Sequence, residues 1–148
     1  MKWIAVLLGL SFLGSACNNN QNAEVPQIAI ESVLINNQPV ANGSVINWVD
    51  FQNVEISILF NAKVDTTKFD EDNFFIMGLG TDYSYRFEKT QNWLHITPTR
   101  PLEPLSMYRL VVFPGRNLGG NIVGEYEFAF RTRVDSTPKF PKISDEEL

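Results

Sequence analysis

Trp93-Leu-His-Ile-Thr-Pro-Thr-Arg-Pro-Leu-Glu-Pro-Leu-Ser-Met-Tyr108 is the stretch whose reading decides the fold. Leu94 and Ile96 alternate with Trp93, His95 and Thr97, which is strand period, and prolines at 98, 101 and 104 then forbid both a helix and a central ladder. The chain must turn there. Tyr108 opens the apolar run Tyr108-Arg-Leu-Val-Val-Phe113, where a β-sandwich places a tyrosine whose hydroxyl bonds back to the backbone just upstream. The stretch therefore predicts strand, tyrosine corner and strand.

Outward from the corner, short alternating segments recur on both sides. Ile28 to Ile35 ends at the turn pair Asn36-Asn37, and Ser44 to Val49 follows Asn42-Gly43. Val54, Ile56, Ile58 and Phe60 alternate onto one face, which is expected to be core. Asn73 to Met77 and Asp82 to Phe87 are further strands, the latter alternating Tyr83, Tyr85 and Phe87 against Ser84 and Arg86. Tyr108, Leu110 and Val112 share a face, Pro114-Gly115 stops that run, and Arg116 to Asn121 reads as a glycine-bearing loop. Glu125 to Thr132 alternates most cleanly, with Tyr126, Phe128 and Phe130 inward. No segment of useful length has helical period, so the pattern is that of an all-β chain: an immunoglobulin-like antiparallel β-sandwich with Greek-key connections.

The order of these segments resembles one family. Ile58-Leu-Phe60 leading to Val64-Asp65, Asn73-Phe-Phe-Ile76, Trp93-Leu-His-Ile-Thr-Pro98 with Pro101-Leu102 and Tyr108, Asn117-Leu-Gly-Gly-Asn121, and Phe128-Ala-Phe-Arg-Thr132 are together similar to the bacterial Ig-like domains first associated with S-layer proteins, the SbsA-like type. The resemblance covers about Val54 to Thr132. It implies a non-catalytic module of bacterial surface or envelope proteins that serves as spacer, adhesion or binding unit. Asn117 stands where that family more often has Asp, which weakens a cation-binding reading of its loop.

The N-terminus gives the cellular address. Met1-Lys2, the apolar run Trp3 to Leu13 and the small residues Gly14-Ser15-Ala16 before Cys17 match a secretory signal, and the run is shorter than the roughly 20 residues a spanning helix needs. Leu13-Gly14-Ser15-Ala16-Cys17 resembles a bacterial lipobox, whose cysteine is lipidated and becomes the new N-terminus. The other reading is an ordinary signal cleaved after Ala16, leaving a free thiol at Cys17. The expected division is a lipoprotein signal peptide over 1–16, a flexible tether over 17–26 from lipidated Cys17, the sandwich over 27–133 and a mobile, proline-bearing acidic tail over 134–148. The expected location is the bacterial cell envelope, anchored through lipid at the outer membrane, with the membrane face left open.

Composition bounds the function. The 148 residues are 44% hydrophobic, enough for one domain with its own core, and carry a formal net charge of -5. A nucleic-acid surface draws on clustered Lys and Arg, so no nucleic-acid partner is expected. Cys17 is the single cysteine and His95 the single histidine, which exclude an intramolecular disulfide, an all-cysteine zinc site and any metal site built on several histidines. A nucleophile and base pair would have to use His95, and alternation against Leu94 and Ile96 reads it as a surface histidine. The chain is thus expected to be no enzyme and to need no cofactor.

Two sets of candidate residues remain. Trp48, Phe51, Tyr83, Tyr85 and Trp93 are watched as binding aromatics, since flat rings on a sandwich suit sugar rings or a protein partner; the competing reading packs most of them between the sheets. Trp48, Tyr83, Tyr85 and Trp93 are the ligand-binding candidates, with Trp93 outermost. Asp65, Asp70, Glu71 and Asp72 offer oxygen ligands to calcium, but without EF-hand spacing, and the preferred reading is a solvated turn with helix-capping carboxylates, a helical turn there being capped by Asp65 or Thr66. The expected role is a lipid-anchored Ig-like module with an envelope protein or polysaccharide as partner. The alternative role is a carbohydrate-binding accessory lipoprotein of a polysaccharide-uptake system.

Overall fold

The computed structural model describes residues 24–133. The signal segment, Cys17, most of the tether and the tail lie outside the described residues. In chain order the strands are β1 (Gln27–Ile28), β2 (Ile30–Ile35), β3 (Gln38–Val40), β4 (Ser44–Val49), β5 (Ile56–Phe60), β6 (Phe74–Met77), β7 (Tyr83–Phe87), β8 (Trp93–Pro98), β9 (Met107–Val112), β10 (Gly115–Asn117), β11 (Gly120–Ile122) and β12 (Tyr126–Thr132). Single 3-10 turns at Thr66–Lys68 and Glu71–Asn73 bridge β5 and β6.

Two sheets face one another. One has the order β3-β2-β5-β8-β7 and the other β4-β12-β9-β6, while β1, β10 and β11 form a small third sheet. The chain crosses between the large sheets from β3 to β4, β4 to β5, β5 to β6, β6 to β7 and β8 to β9. The orders β2-β5-β8-β7 and β6-β9-β12 are those of the ABED and CFG sheets of an immunoglobulin constant-type sandwich. Pairing is antiparallel except at two edges, where β4 runs parallel to β12 and β1 parallel to β11.

Strand period fills the space between the sheets. Ile56, Ile58 and Phe60 of β5 and Leu94 and Ile96 of β8 meet Ile76, Leu110, Phe128 and Phe130 from the opposite sheet, all of them buried. A fully buried Phe or Ile contributes about 1.5–3 kcal/mol relative to exposure, so this double layer is the main source of stability. Tyr126 at the rim is only half-buried. The Asn36-Asn37 turn has φ of 48° and 65°, the pair of positive values a two-residue hairpin requires, and it joins β2 to β3.

The corner is built as its prolines and Tyr108 predict, and its closing partner is Thr132. The buried Thr132 hydroxyl donates to the Glu103 carbonyl at 2.6 Å and accepts from the Ser106 N–H at 2.9 Å, so the end of β12 is tied to the loop that leads into β9. Gly78 sits under the tyrosine with φ of 94°, and a Cβ there would lie 2.8 Å from Tyr108 Cδ1. The Arg116 to Asn121 segment departs from its expected loop character. It folds as the β10-β11 hairpin, with Asn117 paired to Gly120. Asn117 is buried: its amide oxygen accepts from the Asp70 N–H at 2.8 Å and its amide nitrogen donates to the Asp70 carbonyl at 2.6 Å. An ionised Asp could accept there but not donate, so Asn suits a two-way clamp on a backbone unit.

Candidate functional site

The outer face of the β5-β8 pair carries a polar cluster. Register places Ser57 opposite His95, and Arg86 of β7 opposite His95 on the other side. Side chains of one strand alternate, so Trp93 and His95 share the outer face while Leu94 and Ile96 fill the core. The Ser57 hydroxyl lies 2.9 Å from His95 Nδ1, and Glu88 Oε1 lies 3.0 Å from Nε2. An ionised Glu88 only accepts, so Nε2 is the donor, and in the neutral ring Nδ1 accepts from Ser57. Glu55 Oε1 stands 3.3 Å from Nδ1 and its second oxygen 3.4 Å from Arg86. The Trp93 indole stacks beside the imidazole at 6.1 Å and 19°.

His95 thus corrects the expectation of a surface histidine. Its residue exposure is 8%. The imidazole does lie on the outer face, but Trp93, Ser57 and Glu88 cover the ring there. Ser57 and the two glutamates were not among the expected site residues; the only signal was polarity, at an outward position of β5 for Ser57 and just beyond the ends of β5 and β7 for Glu55 and Glu88, and cross-strand pairing depends on sheet order.

A serine, an imidazole and a carboxylate in a row invite a nucleophilic reading, and the strand context argues against it. Ser57 lies in a central strand whose backbone is committed to ladders with β2 and β8 on its two sides, so it has no free N–H pair to receive an oxyanion. What the cluster does is hold Trp93 over a shallow cavity of about 260 Å³ bordered by Leu34, Asn37, Glu88 and His95.

The four candidate aromatics are not brought together. Tyr83 and Tyr85 pair with Pro98 and Ile96, which puts them on the inner side of edge strand β7, away from Trp93. Phe69 packs on Tyr85 at 4.5 Å and on Phe87 at 5.5 Å, closing that flank. Burial, and then the nearby carboxylate of Glu71, raise the Tyr83 hydroxyl above its ordinary pKa. Trp48 stands on the edge of the opposite sheet and is 65% exposed. Phe51 packs against the core.

The acidic loop is a pair of caps. Asp65 accepts from the Thr67 hydroxyl at 2.6 Å and the Thr67 N–H at 3.1 Å, and those bonds hold its carboxyl below the usual carboxylate range. Asp70 caps the second turn through the Asp72 N–H at 3.1 Å. Among the described residues no three His, Cys, Asp or Glu side chains are grouped so as to hold a metal ion.

Comparison with known proteins completes the picture. No curated protein matches the chain. Among solved structures, the N-terminal part of the bacterial S-layer protein SbsC is similar at 16% identity over 73% of this chain and 24% of that one, with a TM-score of 0.44. The S-layer protein rSbsC follows at 18% identity, 70% and 13% coverage and a TM-score of 0.42. A third is the cell-surface-expressed multi-modular chitinase ChiW from Paenibacillus sp. str. FPU-7, at 8% identity, 78% and 10% coverage and a TM-score of 0.33. The chain spans a quarter or less of the length of each. The model of the family described as "Bacterial Ig-like domain" matches residues 31–132, well over half of the sequence and all strands of both large sheets apart from Ile30 at the start of β2. The chain belongs to the bacterial Ig-like domain family.

Proposed function

We propose that this chain is a lipid-anchored cell-envelope protein whose Ig-like sandwich is a non-catalytic binding, adhesion or structural module. The observation that carries this reading is membership of the bacterial Ig-like family over 31–132, set behind an N-terminal stretch that resembles a lipobox at Leu13 to Cys17. The non-catalytic part is supported by the geometry of Ser57 and His95, which lack an oxyanion site. Several acyl chains on Cys17 would give durable anchoring. Cys17→Ala is expected to move the protein from the membrane to the soluble envelope fraction, and a mature N-terminus without lipid mass, together with unchanged partitioning, overturns the anchor.

A second reading, a carbohydrate-binding accessory lipoprotein of a polysaccharide-uptake system, is favoured by one observation, the solvent exposure of Trp48.

A further inference from the structure

Trp48 is held in a conformation that its side chain does not favour. In β4 the register with β12 runs Asn47 to Arg131 and then Val49 to Thr132, so Trp48 is an extra, bulged residue. Its φ is 69°, in the left-handed region that bulky L residues avoid and glycine adopts freely. A bulge bends the strand and re-aims the side chain it carries. The indole is turned outward and left 65% exposed, so neither its backbone conformation nor its apolar area is compensated by packing in the fold. Glycine would make the same bulge with less strain and no exposed ring.

The surroundings of the indole are aliphatic at the buried Ile35 and Val49 and the half-buried Ile46, and polar along the rim. A cavity of about 300 Å³ opens beside it along the flank of the sandwich, bordered by the β2-β3 hairpin and by β4. Its rim carries the side-chain amides of Asn36, Gln38 and Asn47, the carboxylate of Asp50 and the guanidinium of Arg133. Arg133 reaches Asp50 Oδ2 at 2.9 Å, while Asp50 Oδ1 accepts from the Gln52 N–H at 2.9 Å, so the charged side of the rim is fixed in place. Asn36 is fixed through its side-chain oxygen, which accepts from the Glu55 N–H at 2.8 Å.

We infer that this cleft is a saccharide-binding site, with the Trp48 indole as the platform for a sugar ring and Gln38, Asn47, Asp50 and Arg133 as partners for its hydroxyls. A pyranose has an apolar C–H face and a girdle of hydroxyls that both donate and accept. A flat indole suits the first, and a mixture of amides, carboxylate and guanidinium suits the second. The cavity lies at the low end of small-ligand sites, which fits a short stretch of glycan. A protein partner would want an exposed apolar centre around the tryptophan, whereas the exposed neighbours here, Gln38 and Asn47, are polar and the aliphatic Ile35 and Val49 are buried. The inference rests on the second functional reading above and names its site. Membrane retention with no glycan binding would defeat the cleft and leave the anchor standing.

The test is affinity electrophoresis of the full mature chain, purified in detergent, through gels containing soluble starch, xylan, mixed-linkage β-glucan, mannan, dextran or pectin. At least one polysaccharide is expected to retard it. Trp48→Ala is expected to weaken that retardation about tenfold, as loss of a stacking platform would, and Phe75→Ala, at an exposed ring on β6, to leave it unchanged. Trp48→Gly keeps the experiment decisive if the alanine variant folds poorly: it is expected to unfold at a higher denaturant concentration than the parent and still to lose retardation. The proposal is overturned if no polysaccharide retards the chain, if retardation survives both Trp48 variants, or if Trp48 proves instead to mediate concentration-dependent association with a second copy.

Discussion

The backbone N–H of Glu103 donates a 3.0 Å hydrogen bond to the hydroxyl of Tyr108, closing the corner over the two prolines that open it. The ring below that hydroxyl stacks on Phe130 at 5.4 Å, so Tyr108 belongs to the core and to the loop at once. Two substitutions separate these roles. Tyr108→Phe is expected to cost about 0.5–1.5 kcal/mol, the usual net worth of one hydrogen bond, and Tyr108→Ala about 3–5 kcal/mol through the cavity it leaves. Urea unfolding checks both, and a Tyr108→Phe variant as stable as the parent would show that the hydroxyl is not what holds the corner.

Ser57 and His95 are the pair to test on the outer face. Removing Ser57 alone leaves buried His95 Nδ1 without its hydroxyl partner, removing His95 alone leaves the Ser57 hydroxyl only its 3.4 Å contact with Glu55, and removing both takes the pair away together. A double-mutant cycle of Ser57→Ala and His95→Ala is therefore expected to show a coupling of about 0.5–1.5 kcal/mol. Additive losses in denaturant unfolding would mean that the 2.9 Å contact contributes nothing to stability.

Gly120 is required by the close approach of the first strand. A Cβ at this position would stand 2.5 Å from the Pro26 carbonyl oxygen and 2.7 Å from Ile28 Cδ1, on the strand that pairs in parallel with β11. The first of those atoms is backbone and cannot swing aside. Gly120→Ala is expected to destabilise by about 1–3 kcal/mol and to speed hydrogen exchange at the Asn121 and Val123 amides, which bond to Pro26 and Ile28. Unchanged exchange at both amides would contradict the expected displacement of β1.

The cap at Asp65 gives a pH dependence of known sign. Bonds from the Thr67 hydroxyl and amide lower its pKa in the folded state below the ordinary value of 3.8. The unfolded chain therefore takes up the proton first on acidification, so the stabilisation is present above that ordinary value and is lost as pH falls through the folded one. Asp65→Ala is expected to lower the Tm at pH 7, and the deficit to shrink as acidification protonates the carboxylate in the parent. A deficit unchanged on acidification would mean that the side chain acts by packing and not by charge.

Much of this architecture is legible in the chain because it is local. The alternations at Val54 to Phe60 and Glu125 to Thr132, the prolines at 98, 101 and 104 and the Asn36-Asn37 pair each act through steric limits on a few neighbouring residues, and these place strands and turns without knowledge of the fold. The caps at Asp65 and Asp70 are local in the same way. The hairpin at Gly115 to Ile122 was not legible, since three-residue strands carry too short a period, and Asn117 works through Asp70, which is distant in sequence.

The sequence by itself determined the strand pattern, the tyrosine corner and the family resemblance, all of which depend on spacing along the chain. Only the tertiary structure decided which side chains meet. Sheet order put Ser57 and Glu88 on His95 and so buried a histidine that alternation alone places outside, and it set Tyr83 and Tyr85 on the opposite face from Trp93. The parallel pairing of β4 with β12, and the one-residue mismatch within it, turned Trp48 outward. Those outcomes rest on partners brought together across strands, and periodicity within one strand carries no information about the identity of its neighbour.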